Sequence, residues 1–99
     1  MSIEVLGFDG CPNTQPLLDN VQRAANTLRV AVNVRYVNQE QLAHDDMRRG
    51  WPAPTVLVNG KDLFGMEPPT SPAMGCRMYP GGTPSEAAVT AALQVLLSK

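Results

Sequence analysis

Two cysteines, one histidine and a formal net charge of -1 in 99 residues exclude several common functions at once. So few cysteines cannot build a disulfide scaffold, so a reducing cytoplasm is the expected setting, where a disulfide is more often transient chemistry than a staple. Two cysteines and one histidine cannot make an ordinary four-ligand zinc site, and no serine triad can be assembled around His44. The near-neutral charge offers no basic footprint for nucleic acid or an anionic membrane surface. No apolar run approaches the ~20 residues that span a bilayer. Met1-Ser2-Ile3-Glu4 lacks both the basic start and the long apolar stretch of a secretory signal. No phosphate loop or dinucleotide fingerprint appears, so no cofactor is expected.

The apolar residues that are present are ordered into elements of one small domain. Ile3-Glu4-Val5-Leu6-Gly7-Phe8 reads as a largely buried strand. Leu17, Val21, Ala24 and Leu28, widened by Leu18 and Ala25, form the stripe of an amphipathic helix ending near Arg29. Val30, Val32, Val34 and Tyr36 alternate with Ala31, Asn33, Arg35 and Val37 as a second strand. Gln39 to Arg49 is polar and weakly periodic, consistent with a short exposed helix. Thr55-Val56-Leu57-Val58 is a third strand, turned by Asn59-Gly60 into Lys61-Asp62-Leu63-Phe64. Thr83, Pro84 and Glu86 signal the start of a last helix through a capping box, with Val89, Leu93, Leu96 and Leu97 as its buried stripe. The first two strands are expected to be parallel through a right-handed crossover, and the hairpin to be antiparallel. The expected architecture is α/β: a mixed four-stranded sheet with helices on both faces.

Cys11 stands between the first strand and the first helix, in Gly10-Cys11-Pro12-Asn13-Thr14. Pro12 suits the first helical position, which makes Cys11 the expected N-cap. The open N–H groups and dipole of a helix start favour a thiolate, the form that attacks disulfides, peroxides and soft metals. The Thr14 hydroxyl, one turn on, is placed to donate a hydrogen bond to that anion, whereas Asp9 would oppose it. Ala53-Pro54-Thr55 opens the third strand, with Pro54 either an ordinary trans proline or a cis one.

These two segments, in this order and element context, resemble the thioredoxin-like superfamily, glutaredoxins included, over nearly the whole chain. Cys11-Pro12-Asn13-Thr14 occupies the place of its Cys-x-x-Cys or Cys-x-x-Ser motif, and Ala53-Pro54-Thr55 the place of its cis-proline. The resemblance implies that Pro54 is cis and that the N–H and C=O of Ala53 face an extended thiol substrate. Thr14 stands where the usual resolving cysteine would be, and Phe8-Asp9-Gly10 lacks the lysine that glutaredoxins place before the motif. The glycine-pair-plus-acid segment that binds glutathione has no clear copy. The run resembles more closely a little-characterised bacterial group of small thioredoxin-like proteins, some with selenocysteine at the position of Cys11.

Cys76 lies in Met74-Gly75-Cys76-Arg77-Met78-Tyr79, on a long Pro-, Gly- and Met-rich loop of the kind that is usually functional or disordered. It is either the resolving thiol for an adduct on Cys11, which requires the two Cα atoms within about 7 Å, or a small hydrophobe in the packing. Arg77 would then add positive potential beside either thiolate. His44 reads as a solvated residue, Trp51 as packing, and Met66, Met74 and Met78 as filling of an irregular surface. Tyr79 either packs beneath the loop or donates a hydrogen bond near the site. Two function classes follow. One is a thiol redox enzyme acting on a thiol or disulfide substrate, with an external thiol as reductant. The other is a non-catalytic module holding Cu(I) or Hg(II) between Cys11 and Cys76.

Overall fold

A computed structural model describes residues 1–29 and 32–98. Strand β1 (Ser2–Gly7) is followed by helix α1 (Thr14–Leu28), strand β2 (Asn33–Asn38), strand β3 (Thr55–Val58), strand β4 (Lys61–Asp62) and helix α2 (Glu86–Leu97). The strand order is β2-β1-β3-β4, with β1–β2 parallel and the pairs β1–β3 and β3–β4 antiparallel. The chain is therefore a mixed α/β domain on a four-stranded mixed sheet. Val30 and Ala31, read from the sequence as the start of the second strand, lie outside the described residues.

Alternation along β1 and β3 sorts the core into two layers. Ile3, Val5, Val56 and Val58 face α1 and α2, where Leu17, Val21, Ala24, Val89 and Leu93 complete one buried cluster. Each Val, Leu or Ile side chain of this cluster taken fully from water contributes about 1.5–3 kcal/mol. Leu6 and Leu57 point the other way and join Val37 and Trp51 in a second cluster, with Leu42 against it.

This arrangement corrects the expected helices on both faces. Both α-helices cover one face of the sheet, and the other is covered by loop and two 3-10 turns, Gln39–Gln41 and Met47–Gly50. The segment 39–49 does not become one helix because the backbone is extended at Leu42, where the first turn ends, and at Asp46, where the second begins. Asn38 accepts from the N–H of Glu40, and Asp46 from that of Arg48. It also lacks an apolar stripe to bury, since Met47 and His44 are exposed. Arg48 bridges Asp46 and Glu4 of β1 at 2.8 and 3.0 Å and so ties this cover to the sheet. That pairing holds the Asp46 carboxyl below its ordinary range, chiefly through the hydrogen bonds from Arg48.

Both helices start later than the residues suggest. α1 begins at Thr14 behind an Asn13 N-cap whose side chain makes no cap bond, so Cys11 is two residues upstream of the cap. The Cys11 carbonyl accepts from the N–H of Thr14 at 3.3 Å, closing a turn one residue tighter than a helix would. Asn13, at φ -95 and ψ -8, has the third-position geometry of a type I turn, which Pro12 favours from the second. α2 is capped by Ser85, which accepts from the N–H of Ala88, and not by Thr83. The Pro84 carbonyl, which a Thr83-capped helix would use internally, instead accepts from Nδ2 of Asn20 on α1. Val89 and Leu93 are buried and Leu96 is partly so, but Leu97 is exposed.

The Asn59-Gly60 turn has φ of 51 and 86, the positive pair of a type I′ hairpin. β4 stops after two residues because Asp62 turns its carboxylate back on the chain, accepting from the N–H groups of Phe64 and Met66. The long loop that follows is seated on the domain. Gly50 lets the Ser71 carbonyl approach closer than any Cβ would permit, with Pro69 beside it.

Candidate thiol site

The C-terminal end of β1 and the N-terminal end of β3 lie together, since Leu6 is paired with Thr55. The turn carrying Cys11 leaves this end of the sheet, and Ala53-Pro54 enters β3 there. The Ala53–Pro54 bond is cis. Cys11 is 7 % exposed and, like Cys76, is a free cysteine.

Cys11 lines a cleft of about 150 Å³ with Phe8, Asp9, Thr14, Gln15 and Tyr36. Thr14 is only 5 % exposed, and its hydroxyl oxygen is buried without a hydrogen-bond partner among the described residues. Its side chain packs on Gly7, where any Cβ would collide with it; this close approach is what the glycine at the end of β1 permits. Tyr36 was visible in the sequence only as an alternating strand residue. Its hydroxyl donates to Asp9 Oδ1 at 3.3 Å, across the same cleft. Burial raises the Tyr36 hydroxyl above its ordinary value, and the negative charge of Asp9 adds to this. Asp9 is thus engaged with the phenol.

Cys76 is exposed, and neither it nor Arg77 lines the Cys11 cleft. The segment around Cys76 is fixed instead to Ala53. The N–H of Ala53 donates to the Gly75 carbonyl at 2.9 Å, and the N–H of Arg77 donates to the Ala53 carbonyl at 2.7 Å, an isolated parallel bridge between Ala53 and Cys76. Both main-chain groups of Ala53 that the resemblance assigns to a substrate are therefore already paired within the chain.

Arg77, expected to add positive potential beside either thiolate, is engaged in a buried ion pair. Its guanidinium makes a two-pronged pair with Asp62, Nη1 to Oδ1 at 2.8 Å and Nη2 to Oδ2 at 3.1 Å, and also donates to the Thr55 hydroxyl at 3.3 Å. The Arg77 and Asp62 side chains are 9 % and 0 % exposed. The guanidinium carbon lies 4.3 Å from the centre of the Tyr79 ring, a cation–π contact. Tyr79 meets Phe64 edge-on and donates its hydroxyl to the carbonyl of Pro54 at 2.7 Å. Burial pushes the Tyr79 hydroxyl up to about 12, with the Arg77 charge opposing and Asp62 adding to the shift. Asp62 was missed in the sequence, where it reads as an ordinary hairpin residue.

The remaining residues singled out from the sequence lie elsewhere. Pro12 is exposed beside the cleft, His44 is exposed, and Trp51 is in the second core cluster. Met78 is 88 % exposed, a methionine turned to solvent and filling nothing. Among the described residues no three His, Cys, Asp or Glu side chains cluster as a metal site. None of the described helices is long and apolar enough to cross a membrane. Comparison with family models, curated proteins and solved structures finds no match for this chain.

Proposed function

We propose that this protein is a cytoplasmic thiol–disulfide oxidoreductase of thioredoxin-like fold, with Cys11 as nucleophile and Cys76 as resolving thiol. The observation that carries the reading is the convergence at one end of the sheet. The Cys11 turn, the cis Ala53–Pro54 bond and the Cys76 segment bridged to Ala53 all belong to that end. The Cys11 thiolate attacks one sulfur of a disulfide R–S–S–R, forming a mixed disulfide and releasing RS⁻, which takes up a proton. The Cys76 thiolate then attacks the Cys11 sulfur, giving a Cys11–Cys76 disulfide and a second RSH. Two external thiols reverse the oxidation and become a disulfide themselves. The unpartnered Thr14 hydroxyl supplies a donor for the Cys11 thiolate.

The test is stoichiometric oxidation of the reduced protein followed by mass-spectrometric mapping. The expected product is an intrachain Cys11–Cys76 disulfide, with Cys76→Ser halting at a mixed disulfide on Cys11 and Cys11→Ser inert. Oxidation of Cys11 with Cys76 left reduced would remove the resolving role. Reaction of neither thiol faster than free cysteine would sink the redox reading.

A further inference from the structure

We propose that the Cys11 site takes low-molecular-mass disulfides, and that residues 75–77 keep extended protein segments off it. The inference rests on the redox reading above and names its substrate class. An extended polypeptide docks on a sheet by pairing its main chain with unpaired edge groups. At the end of the sheet that carries Cys11, the N–H and C=O of Ala53 are such groups, and Gly75 and Arg77 already close both. The chain has added its own strand segment where a partner's would go.

This segment is latched. The fork of Arg77 on the fully buried carboxylate of Asp62, the bond to Thr55 and the stack on Tyr79 hold one side. The Tyr79 hydroxyl on the Pro54 carbonyl holds the other. An incoming peptide must break a desolvated, two-pronged ion pair before it gains its first main-chain bond. A buried pair of this kind is not the loosely held pair of a protein surface.

The cleft points the same way. At about 150 Å³ it is below the ~300–1,000 Å³ of sites that enclose drug-sized ligands. Its thiol is only 7 % exposed. A disulfide with short arms presents its sulfurs to such a site, whereas one flanked by folded or extended chain does not.

The experiment measures exchange of the reduced full-length protein with two probes. One is bis(2-hydroxyethyl) disulfide, and the other is a disulfide joining two unstructured ten-residue peptides. Each rate is divided by that of dithiothreitol with the same probe. The expected normalised rate is at least 100-fold higher for the small disulfide. In the double variant Arg77→Met/Asp62→Asn, which removes both charges of the latch, the peptide-to-small ratio rises at least tenfold. Faster hydrogen exchange at the Ala53 amide reports that the segment has been released. Tyr79→Phe, which loses only the Pro54 bond, raises the ratio two- to threefold and serves if the double variant does not fold. Peptide exchange within threefold of the small probe in the unaltered protein overturns this proposal and leaves the redox reading standing. An unchanged ratio with Ala53 released does the same. Silence of Cys11 toward both probes overturns both.

Discussion

The two thiols of this chain have opposite surroundings. Around Cys76 nearly every polar group is matched: Ala53 with Gly75 and Arg77, Arg77 with Asp62 and Thr55, Tyr79 with Pro54. Around Cys11 matches are sparse. The N-cap residue Asn13 makes no side-chain cap bond, the buried Thr14 hydroxyl has no partner among the described residues, and the Tyr36–Asp9 bond is long at 3.3 Å. The contrast has a physical meaning. An irregular loop has no ladder of its own, so it is held only by specific polar contacts. A buried donor left unspent costs about 1–3 kcal/mol in stability.

The most severe way to break this contrast is Asp62→Ala. It strands the buried Arg77 charge and frees the N–H groups of Phe64 and Met66. The expected loss is about 3–5 kcal/mol by urea unfolding, because one partner of a buried pair is left uncompensated. Arg77→Met/Asp62→Asn removes both charges together and should cost less than half as much; an equal cost would show that the ion pair itself is not what matters.

A smaller effect is expected from Tyr79→Phe, about 0.5–1.5 kcal/mol for the single bond to Pro54. The same phenol gives a pH dependence. Its value is pushed up to about 12 in the fold, against about 10 when unfolded. The native state therefore binds the proton more tightly, and this contribution is complete below pH ~10 and lost as pH rises from about 10 toward 12. Unfolding at stepped alkaline pH should show that decline, shallower in Tyr79→Phe; an identical slope would detach Tyr79 from it.

The mildest change sharpens the other side of the contrast. Thr14→Val replaces an unpartnered hydroxyl with a methyl of nearly the same shape. Stability should hold or rise by up to about 1 kcal/mol, because no hydrogen bond is lost. Alkylation of Cys11 by iodoacetamide should slow at least threefold, since a donor to the thiolate has gone. A clear loss of stability would mean that the hydroxyl is structural after all.

Much of the frame was legible in the sequence because its signals are local. The Leu17, Val21, Ala24 stripe of α1, the alternation of β1 and the Asn59-Gly60 turn depend on neighbours a few residues away. Helix starts were displaced because Thr83 and Ser85 are comparable caps by composition; the Asn20 bond to the Pro84 carbonyl accompanies the choice of the second. At the start of α1, the packing of Thr14 on Gly7 and the tight Cys11–Thr14 turn leave Cys11 outside the helix. The polar stretch 39–49 misled because its composition tolerates a helix, whereas the chain turns extended at Leu42 and again at Asp46 and leaves only two short 3-10 turns.

The sequence by itself determined that this is an α/β chain with one candidate nucleophile between a strand and a helix, and a proline at the mouth of another strand. Periodicity and turn chemistry are properties of short windows, and they survive without knowledge of the fold. Only the tertiary structure decided where Arg77 and Cys76 sit. Arg77 meets Asp62 from the far end of a loop, and Cys76 meets Ala53 through main-chain bonds that no side-chain pattern encodes. Such pairings are chosen by burial: once the loop is laid on the sheet, a charge removed from water is tolerated only where an opposite one is already waiting.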